Sequence, residues 1–308
     1  MDPEAKILIV VLGPTGVGKS EVSLKLAGKF NGEIVNCDSM QVYKGFDIGT
    51  DKLPLEKRQN IPHHLLDVSE PEDQFTAADF VDLAFASIQE ILKRRHLPII
   101  TGGTGLYLKA LLEGLFPEGK SDLSVREQLE EEEREKGMEY LRQELVEIDP
   151  KYAQKVGEKD RIRIIRALEV FRVTGKSMTE NFLLTRSPVR DFNIIKLGLK
   201  LERMHLYTNI EKRVDRMFEN GLVEETKNLL HAGVPENAPS FRALGYSHVL
   251  QYLKNEVTLD EAVEGMKKDT RHYAKRQMTW FRKMEGIKWY SPSSISRISS
   301  YIEKRIIT

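Results

Sequence analysis

The hydrophobic pattern opens with an unbroken apolar run, Ile7 to Leu12, and a glycine-rich turn follows at once. A run without alternation predicts a parallel strand covered on both faces. Glu21 to Phe30 then carries helical periodicity, and a second short strand is expected around Ile34 and Val35. Thr76 is placed to cap a helix whose apolar positions Phe80, Val81, Ala84, Phe85, Ile88, Ile91 and Leu92 keep one face. That helix ends near "KRRHLP", and Pro98 to Thr101 predicts a third strand. Strand and helix alternating in this order give a parallel sheet with covering helices.

The pattern changes after about Gly114. "REQLEEEEREKGMEYLRQELVEI" is strongly charged and helical, and "DRIRIIRALEVFRVTG" places Ile162, Ile165, Leu168 and Phe171 at helical spacing. "FNIIKLGLKL" then alternates apolar Ile195, Leu197, Leu199 and Leu201 in the manner of a strand. Residues 115–190 therefore read as a helical insertion domain, and residues 1–114 plus 191–308 as a catalytic core. Thr258 with Glu261 offers a capping box for a long helix near the end of the chain. The expected fold class is α/β: a parallel sheet covered by helices, with a helical insertion.

Composition narrows the class without naming a chemistry. Of 308 residues, 40% are hydrophobic and 31% charged, which suits a sizeable core under a well-solvated surface. Lys plus Arg and Asp plus Glu number 47 each, so bulk charge does not drive nucleic-acid binding, although a local basic groove remains open. The lone Cys37 excludes an internal disulfide framework and a multi-cysteine zinc site. The first apolar run is too short for a signal h-region, and no stretch approaches membrane-spanning length. A soluble, cytoplasmic protein is expected.

Candidate chemistry begins with "GPTGVGKS". Gly13, Gly18, Lys19 and Ser20 satisfy G-x-x-x-x-G-K-[ST], and Gly13, Pro14, Thr15, Gly16, Val17, Gly18, Lys19 and Ser20 form the expected phosphate cradle. Backbone N–H groups and a helix N-terminus converge on phosphate oxygens, Lys19 adds charge, and the Ser20 hydroxyl suits Mg²⁺. The pattern specifies phosphate but not which phosphate. Asp38, in "NCDSMQVY", follows a strand and falls at the carboxyl edge of the sheet. Three roles stay open there: a Mg²⁺ holder, a general base, or a turn cap. "TGGTGLY" presents Thr104 at another strand end, and its glycines permit close backbone approach or simply a bland turn. No apolar strand ending in Asp, of the usual NTPase kind, appears between residues 50 and 115, which weakens an ATPase reading.

Basic residues supply a further signal. Arg163, Arg166 and Arg172 are expected along one side of a helix, and "KKDTRHYAKRQMTWFRKMEGIKWY" interleaves Arg271, Lys275, Arg276 and Arg282 with aromatics. Such a stripe suits a phosphate backbone with stacked bases, or merely a solvated helix face. The adjacent His63 and His64 would point apart in an extended segment, which favours structural roles over a shared metal.

Taken in order, "GPTGVGKS", "NCDSMQVYKGFDIGTDK", "PHHLLD", "GGTGLY", "RIIRALEV", "KRVDRMFENGLVEE", "RALGY" and "TRHYAKRQMTWFRK" resemble the tRNA dimethylallyltransferases, also called tRNA isopentenyltransferases. The resemblance covers residues 7 to about 290. It implies a P-loop-type sheet with a helical insertion domain. It also implies transfer of a dimethylallyl group from dimethylallyl diphosphate to the N6 amine of the adenosine on the 3′ side of the anticodon, in tRNAs that read codons beginning with U. Mapped onto matching positions, Asp38 becomes the base, and Thr15 and Arg213 grip the diphosphate beside the loop, with Arg216 a near neighbour on the same helix. Positions implied for the tRNA anticodon stem-loop are Asp38, Ser39, Met40, Gln41, Thr104, Arg126, Ile162, Arg163, Ile164, Ile165, Arg166, Arg242, Ala243, Leu244, Gly245, Tyr246 and Ser247. Mg²⁺ is the implied cofactor, and a monomer the implied state. With no cysteine beyond Cys37, the chain lacks the Cys/His finger of many eukaryotic relatives and is similar to the bacterial form. Three other activities would use parts of the same motif set: isopentenyl transfer to free adenosine phosphates, an ATP-dependent nucleotide kinase, and a nucleotide-gated RNA-binding module without catalysis.

Overall fold

The computed structural model describes residues 6–116 and 122–306. The chain divides into two compact units, one built from residues up to Leu108 together with those from Asp191 onward, the other from Lys109–Arg190. In chain order the first half of the larger unit runs β1 (Ile7–Leu12), α1 (Lys19–Phe30), β2 (Gly32–Cys37), β3 (His63–His64), α2 (Ala77–Lys93), β4 (Leu97–Gly102) and the first turn of α3 (Gly105–Glu113), whose remainder belongs to the smaller unit. The smaller unit holds α4 (Leu123–Lys136), α5 (Met138–Ile148), α6 (Pro150–Ala153), α7 (Arg161–Thr174) and α8 (Met178–Leu183). The larger unit resumes with β5 (Asn193–Leu199), α9 (Arg203–Glu219), α10 (Leu222–His231), α11 (Leu244–Leu253), α12 (Leu259–Phe281), β6 (Lys288–Tyr290) and α13 (Ile295–Ile306).

All strand pairs are parallel, in the order β3-β2-β4-β1-β5-β6. The apolar run of β1 lies at the centre, with Leu8 to Leu12 fully buried, as a strand covered on both faces requires. Around it Val22, Leu26, Ile99, Ile195, Leu197 and Ile210 form one continuous core. β2 extends to Cys37 and so delivers Asp38 to the carboxyl edge of the sheet. The edge strands β3 and β6 are only two and three residues long and carry no apolar run that would announce them.

The helix starts follow their capping chemistry. Thr76 accepts the Asp79 N–H while the Asp79 carboxylate accepts the Thr76 N–H, and Thr258 with Glu261 repeats the reciprocal pair at α12. His64 Nε2 lies 2.6 Å from Glu33 Oε2, while His63 Nδ1 meets the Ile61 carbonyl oxygen at 2.8 Å.

The smaller unit packs Leu129, Leu141, Leu145, Ile164, Ile165 and Leu168 into its own core. Arg172 donates to Glu132 and Glu144 from neighbouring helices at 2.6 to 3.0 Å, so it acts as an internal clamp. Among the described residues no helix is long and apolar enough to cross a membrane.

Candidate active site

The loops that follow β1, β4 and β2 leave three neighbouring strands at the same sheet edge, which is where open α/β sheets bind ligands. They line a cleft of about 1230 Å³ within the larger unit. The phosphate loop occupies one wall. Gly16 adopts a φ of +77°, and a Cβ there would come within 2.8 Å of Ile210 Cγ1 on α9, so shape and backbone both require glycine. Gly18, also in the left-handed region, opens α1 and turns its N-terminus towards the cleft.

The Lys19 ammonium bends into the loop and donates to the Gly13 and Pro14 carbonyls, each at 3.0 Å. Burial lowers its pKa to about 8; Asp38 opposes the fall and Arg213 adds to it. Ser20, exposed at the first turn of α1, lines the same cleft. No group of three or more His, Cys, Asp or Glu able to hold a metal exists among the described residues. A magnesium ion there would have to take most of its oxygens from a bound phosphate, with the Ser20 hydroxyl as the nearest protein oxygen of the loop motif.

Arg213, from the middle of α9, reaches across the cleft. Its Nη1 donates to Thr15 Oγ1 at 2.5 Å, its Nη2 to the Thr50 carbonyl at 3.4 Å, and its Nε lies 3.2 Å from Asp51 Oδ2. Arg216 also lines the cleft, but Arg213 is the arginine that touches the loop.

Asp38 lines the same cleft as Lys19, half-buried, with Oδ1 accepting the Met40 N–H at 2.9 Å. That turn orients the carboxylate. Ser39 N–H donates to Thr104 Oγ1 at 3.1 Å, which ties the Asp38 segment to the loop after β4. Tyr273 of α12 shares a hydrogen bond with Thr104; burial, with Asp38 nearby, pushes its phenol up to about 12 and keeps it protonated. Burial and the Asp38 charge likewise drive the Cys37 thiol well above its ordinary range, which makes it an inert packing residue.

Sequence reasoning missed several residues that organise the cleft. Gln277 bridges the Thr15 N–H and the Gly103 carbonyl, Asn209 donates to the Gly16 carbonyl at 3.2 Å, and Asp51 pairs with Arg213. Tyr273 and Gln277 stand one helical turn apart on α12, and that spacing was the available signal.

Of the positions implied for RNA, Ser39, Met40, Gln41, Arg242, Ala243, Leu244, Gly245 and Arg276 line the cleft. Thr104 borders it through Ser39 and Tyr273, and Ser247 donates to the Leu244 carbonyl. In the smaller unit Ile162 is exposed, Arg163 pairs with Asp160, Arg126 with Glu130, and Arg166 with the buried Glu169. Other expected positions are buried or paired within the protein. Ile164 and Ile165 pack into the helical core and present no surface, because the wet side of α7 belongs to Ile162 and Arg163. Tyr246 is fully buried, its hydroxyl engaged with Glu225. The arginine stripe of α7 is interrupted, since Arg172 is held by Glu132 and Glu144. On α12, Arg271 is likewise paired with Glu211, while Lys275 is exposed.

A parallel sheet, a phosphate loop after its central strand and an aspartate at the end of a neighbouring strand, all bordering one cleft, define a P-loop-type α/β protein. The family profile described as IPP transferase matches residues 41–284. The chain is 45% identical over 304 residues to tRNA dimethylallyltransferase 2 of Geotalea uraniireducens, covering 98% of each protein. It is 44% identical over 283 residues to the tRNA dimethylallyltransferase of Acetivibrio thermocellus, covering 92% of this chain and 90% of the relative. Its fold is similar to the full-length tRNA isopentenylpyrophosphate transferase of Bacillus halodurans, with a TM-score of 0.73, 39% identity, and 98% and 97% of the two chains covered. A eukaryotic dimethylallyltransferase acting on tRNA superposes with a TM-score of 0.80 at 32% identity, over 98% of this chain and 78% of that one. The protein belongs to the IPP transferase family.

Proposed function

We propose that the protein transfers a dimethylallyl group from dimethylallyl diphosphate to the N6 amine of the adenosine 3′-adjacent to the anticodon, in tRNAs that read codons beginning with U. The observation that carries this reading is the meeting of Asp38 with Lys19, Thr15 and Arg213 in one cleft. An acceptor for a proton faces the cradle for an anionic leaving group.

In the proposed reaction the N6 lone pair attacks the allylic carbon, the N–C bond forms, and the C–O bond to diphosphate breaks with its electron pair leaving on oxygen. Asp38 takes the N6 proton. An exocyclic adenine amine is a weak nucleophile because its lone pair is delocalised into the ring, so a carboxylate placed on its N–H favours attack as positive charge develops. The loop amides, Lys19 and Arg213 stabilise charge on the leaving diphosphate rather than on a transferring phosphoryl group. A magnesium ion held by the diphosphate and Ser20 would add to that stabilisation. The loop thus holds the part that departs, and ATP has no place in the cycle. The target base has to leave its stack to reach Asp38, which an anticodon loop permits more readily than a duplex. Arg242, Arg276, Met40 and Gln41 would meet the RNA at the cleft, and Arg126, Ile162 and Arg163 would meet it on the helical unit. A cytoplasmic monomer completes the reading.

The test is incubation with Mg²⁺, dimethylallyl diphosphate and undermodified tRNA, followed by mass analysis of the digested nucleosides. One adenosine in the tRNA should gain a dimethylallyl unit. Modification of free AMP as readily as tRNA, transfer of a γ-phosphoryl group from ATP, or RNA binding without any product would each replace this reading with a different activity.

A further inference from the structure

Residues 46–52 form a short loop whose backbone behaves as an anion site. Asp47, Ile48 and Gly49 direct successive N–H groups at one carboxylate, that of Glu225 on α10, at 3.3, 2.9 and 3.3 Å. Such a concavity ordinarily suits phosphate or another anion, and here a side chain of the protein occupies it. Tyr246 completes the seat: its hydroxyl donates to Glu225 Oε1 at 2.5 Å and accepts the Gly49 N–H at 3.3 Å. Its fully buried ring lies against Gly49, where an added Cβ would come within 2.5 Å of Cε2. Burial and the Glu225 charge hold the phenol well above its ordinary range, so it remains a donor.

The other end of this loop faces the active site. Its Thr50 carbonyl and Asp51 carboxylate are the partners of Arg213 that lie outside the phosphate loop. The loop is internally closed by Thr50 Oγ1 donating to the Phe46 carbonyl at 2.7 Å and Asp51 N–H to the Ile48 carbonyl at 3.0 Å. A shift at Ile48 or Gly49 is therefore passed to Asp51. Glu225 itself does not line the catalytic cleft.

We propose that Glu225, seated by Tyr246, is a positioning residue: it anchors the 46–52 loop, and through Thr50 and Asp51 it fixes Arg213 where that guanidinium grips the diphosphate. This rests on the reading that a diphosphate docks on the Thr15 loop. The rigid anchor matters because an arginine on a four-bond stem loses much rotamer freedom on binding, and pre-setting it moves that cost out of the binding step.

The full-length protein, its Glu225→Ala, Glu225→Gln and Tyr246→Phe variants, and the same changes in an Arg213→Ala background are titrated with inorganic pyrophosphate and Mg²⁺ by calorimetry. Glu225→Ala should weaken pyrophosphate about ten-fold, and Glu225→Gln, which retains one acceptor oxygen, should recover part of the loss. KM for dimethylallyl diphosphate should rise in parallel while KM for tRNA stays unchanged. In the Arg213→Ala background Glu225→Ala should add almost nothing, an outcome that a general loss of stability would not produce. Equal weakening in both backgrounds, or wild-type pyrophosphate affinity in folded Glu225→Ala or Tyr246→Phe, overturns the proposal. Tyr246→Phe, which keeps the buried ring, carries the test if Glu225→Ala does not fold. Failure of the wild-type protein to bind pyrophosphate would instead overturn the diphosphate reading on which the proposal stands.

Discussion

The side-chain amide of Gln277 accepts the Thr15 backbone N–H at 2.8 Å, joining two residues 262 positions apart. Its other end donates to the Gly103 carbonyl at 2.9 Å, so one buried glutamine locks the phosphate loop to the loop after β4. Gly103 is glycine for the same reason, since a Cβ there would meet Gln277 Nε2 at 2.3 Å. Gln277→Leu, nearly equal in volume, should leave both backbone groups unpaired and cost about 2 kcal/mol of stability. Pyrophosphate affinity should fall with it, because Thr15 loses its fixed place under Arg213. Urea unfolding and calorimetry on the same preparation check both; a stable variant with unchanged affinity would remove Gln277 from the loop's support.

Asp38→Asn preserves size and one acceptor oxygen for the Met40 N–H, so the local turn should survive. It removes the group that would take the N6 proton. Transfer should drop by at least about a hundred-fold, the usual scale for losing a positioned general base, while tRNA binding stays within a factor of two or three. Near-normal turnover with weakened tRNA binding would assign Asp38 to recognition instead.

Much of this arrangement is legible before any coordinates. The strands β1 and β4 announce themselves because burial on both faces demands apolar runs, β5 by its alternation of apolar positions, and the loop after β1 because a phosphate cradle demands glycines at fixed spacing. The capping boxes at Thr76 and Thr258 are local and so are readable. What escapes is tertiary. Gln277 looks like any polar position in a basic helix until α12 brings it under Thr15, and Glu225 is one acid among many in the sequence until it meets the N–H groups of Ile48 and Gly49. The arginines of α7 mislead for the same reason, since the sequence does not show that Glu132 and Glu144 come round to claim Arg172.

Lys19 makes diphosphate binding pH-dependent. Its ammonium, held down to about 8 by burial, loses its proton as pH rises through that value, and the cradle loses a positive charge. Pyrophosphate affinity should therefore fall above about pH 8, and binding there should take up a proton as the anion restores the charged form. Calorimetry at pH 8.5 in buffers of different ionisation enthalpy reads the proton directly. Lys19→Arg, which does not titrate in this range, should show neither the alkaline fall nor the uptake. A wild-type affinity that is flat to pH 9.5 would refute the titration.

Glu33 separates stability from catalysis. It sits near the start of β2, five residues before Asp38 and so roughly 16 Å away along the strand. Its carboxylate is 1% exposed and receives Arg94 Nε and Nη2 at 2.9 and 2.8 Å, with His64 and His96 ring nitrogens at 2.6 and 2.7 Å. Burial alone would raise its pKa, but these partners outweigh it and hold the group at about 2, against an ordinary value of 4.5. A carboxyl whose pKa is lower in the folded state contributes stability that is fully present above the unfolded value and is lost as pH falls towards the folded one. That contribution is about 3 kcal/mol at neutral pH and should disappear between about pH 4.5 and pH 2. Glu33→Gln should therefore unfold at lower urea than the wild type at pH 7, and the gap should close as the acid limb is approached. Its kcat should match the wild type at 25 °C, because the change lies at the far end of the strand from Asp38. A stability gap that does not vary between pH 7 and pH 3 would mean that packing of the side chain, and not its charge, holds that end of the sheet together.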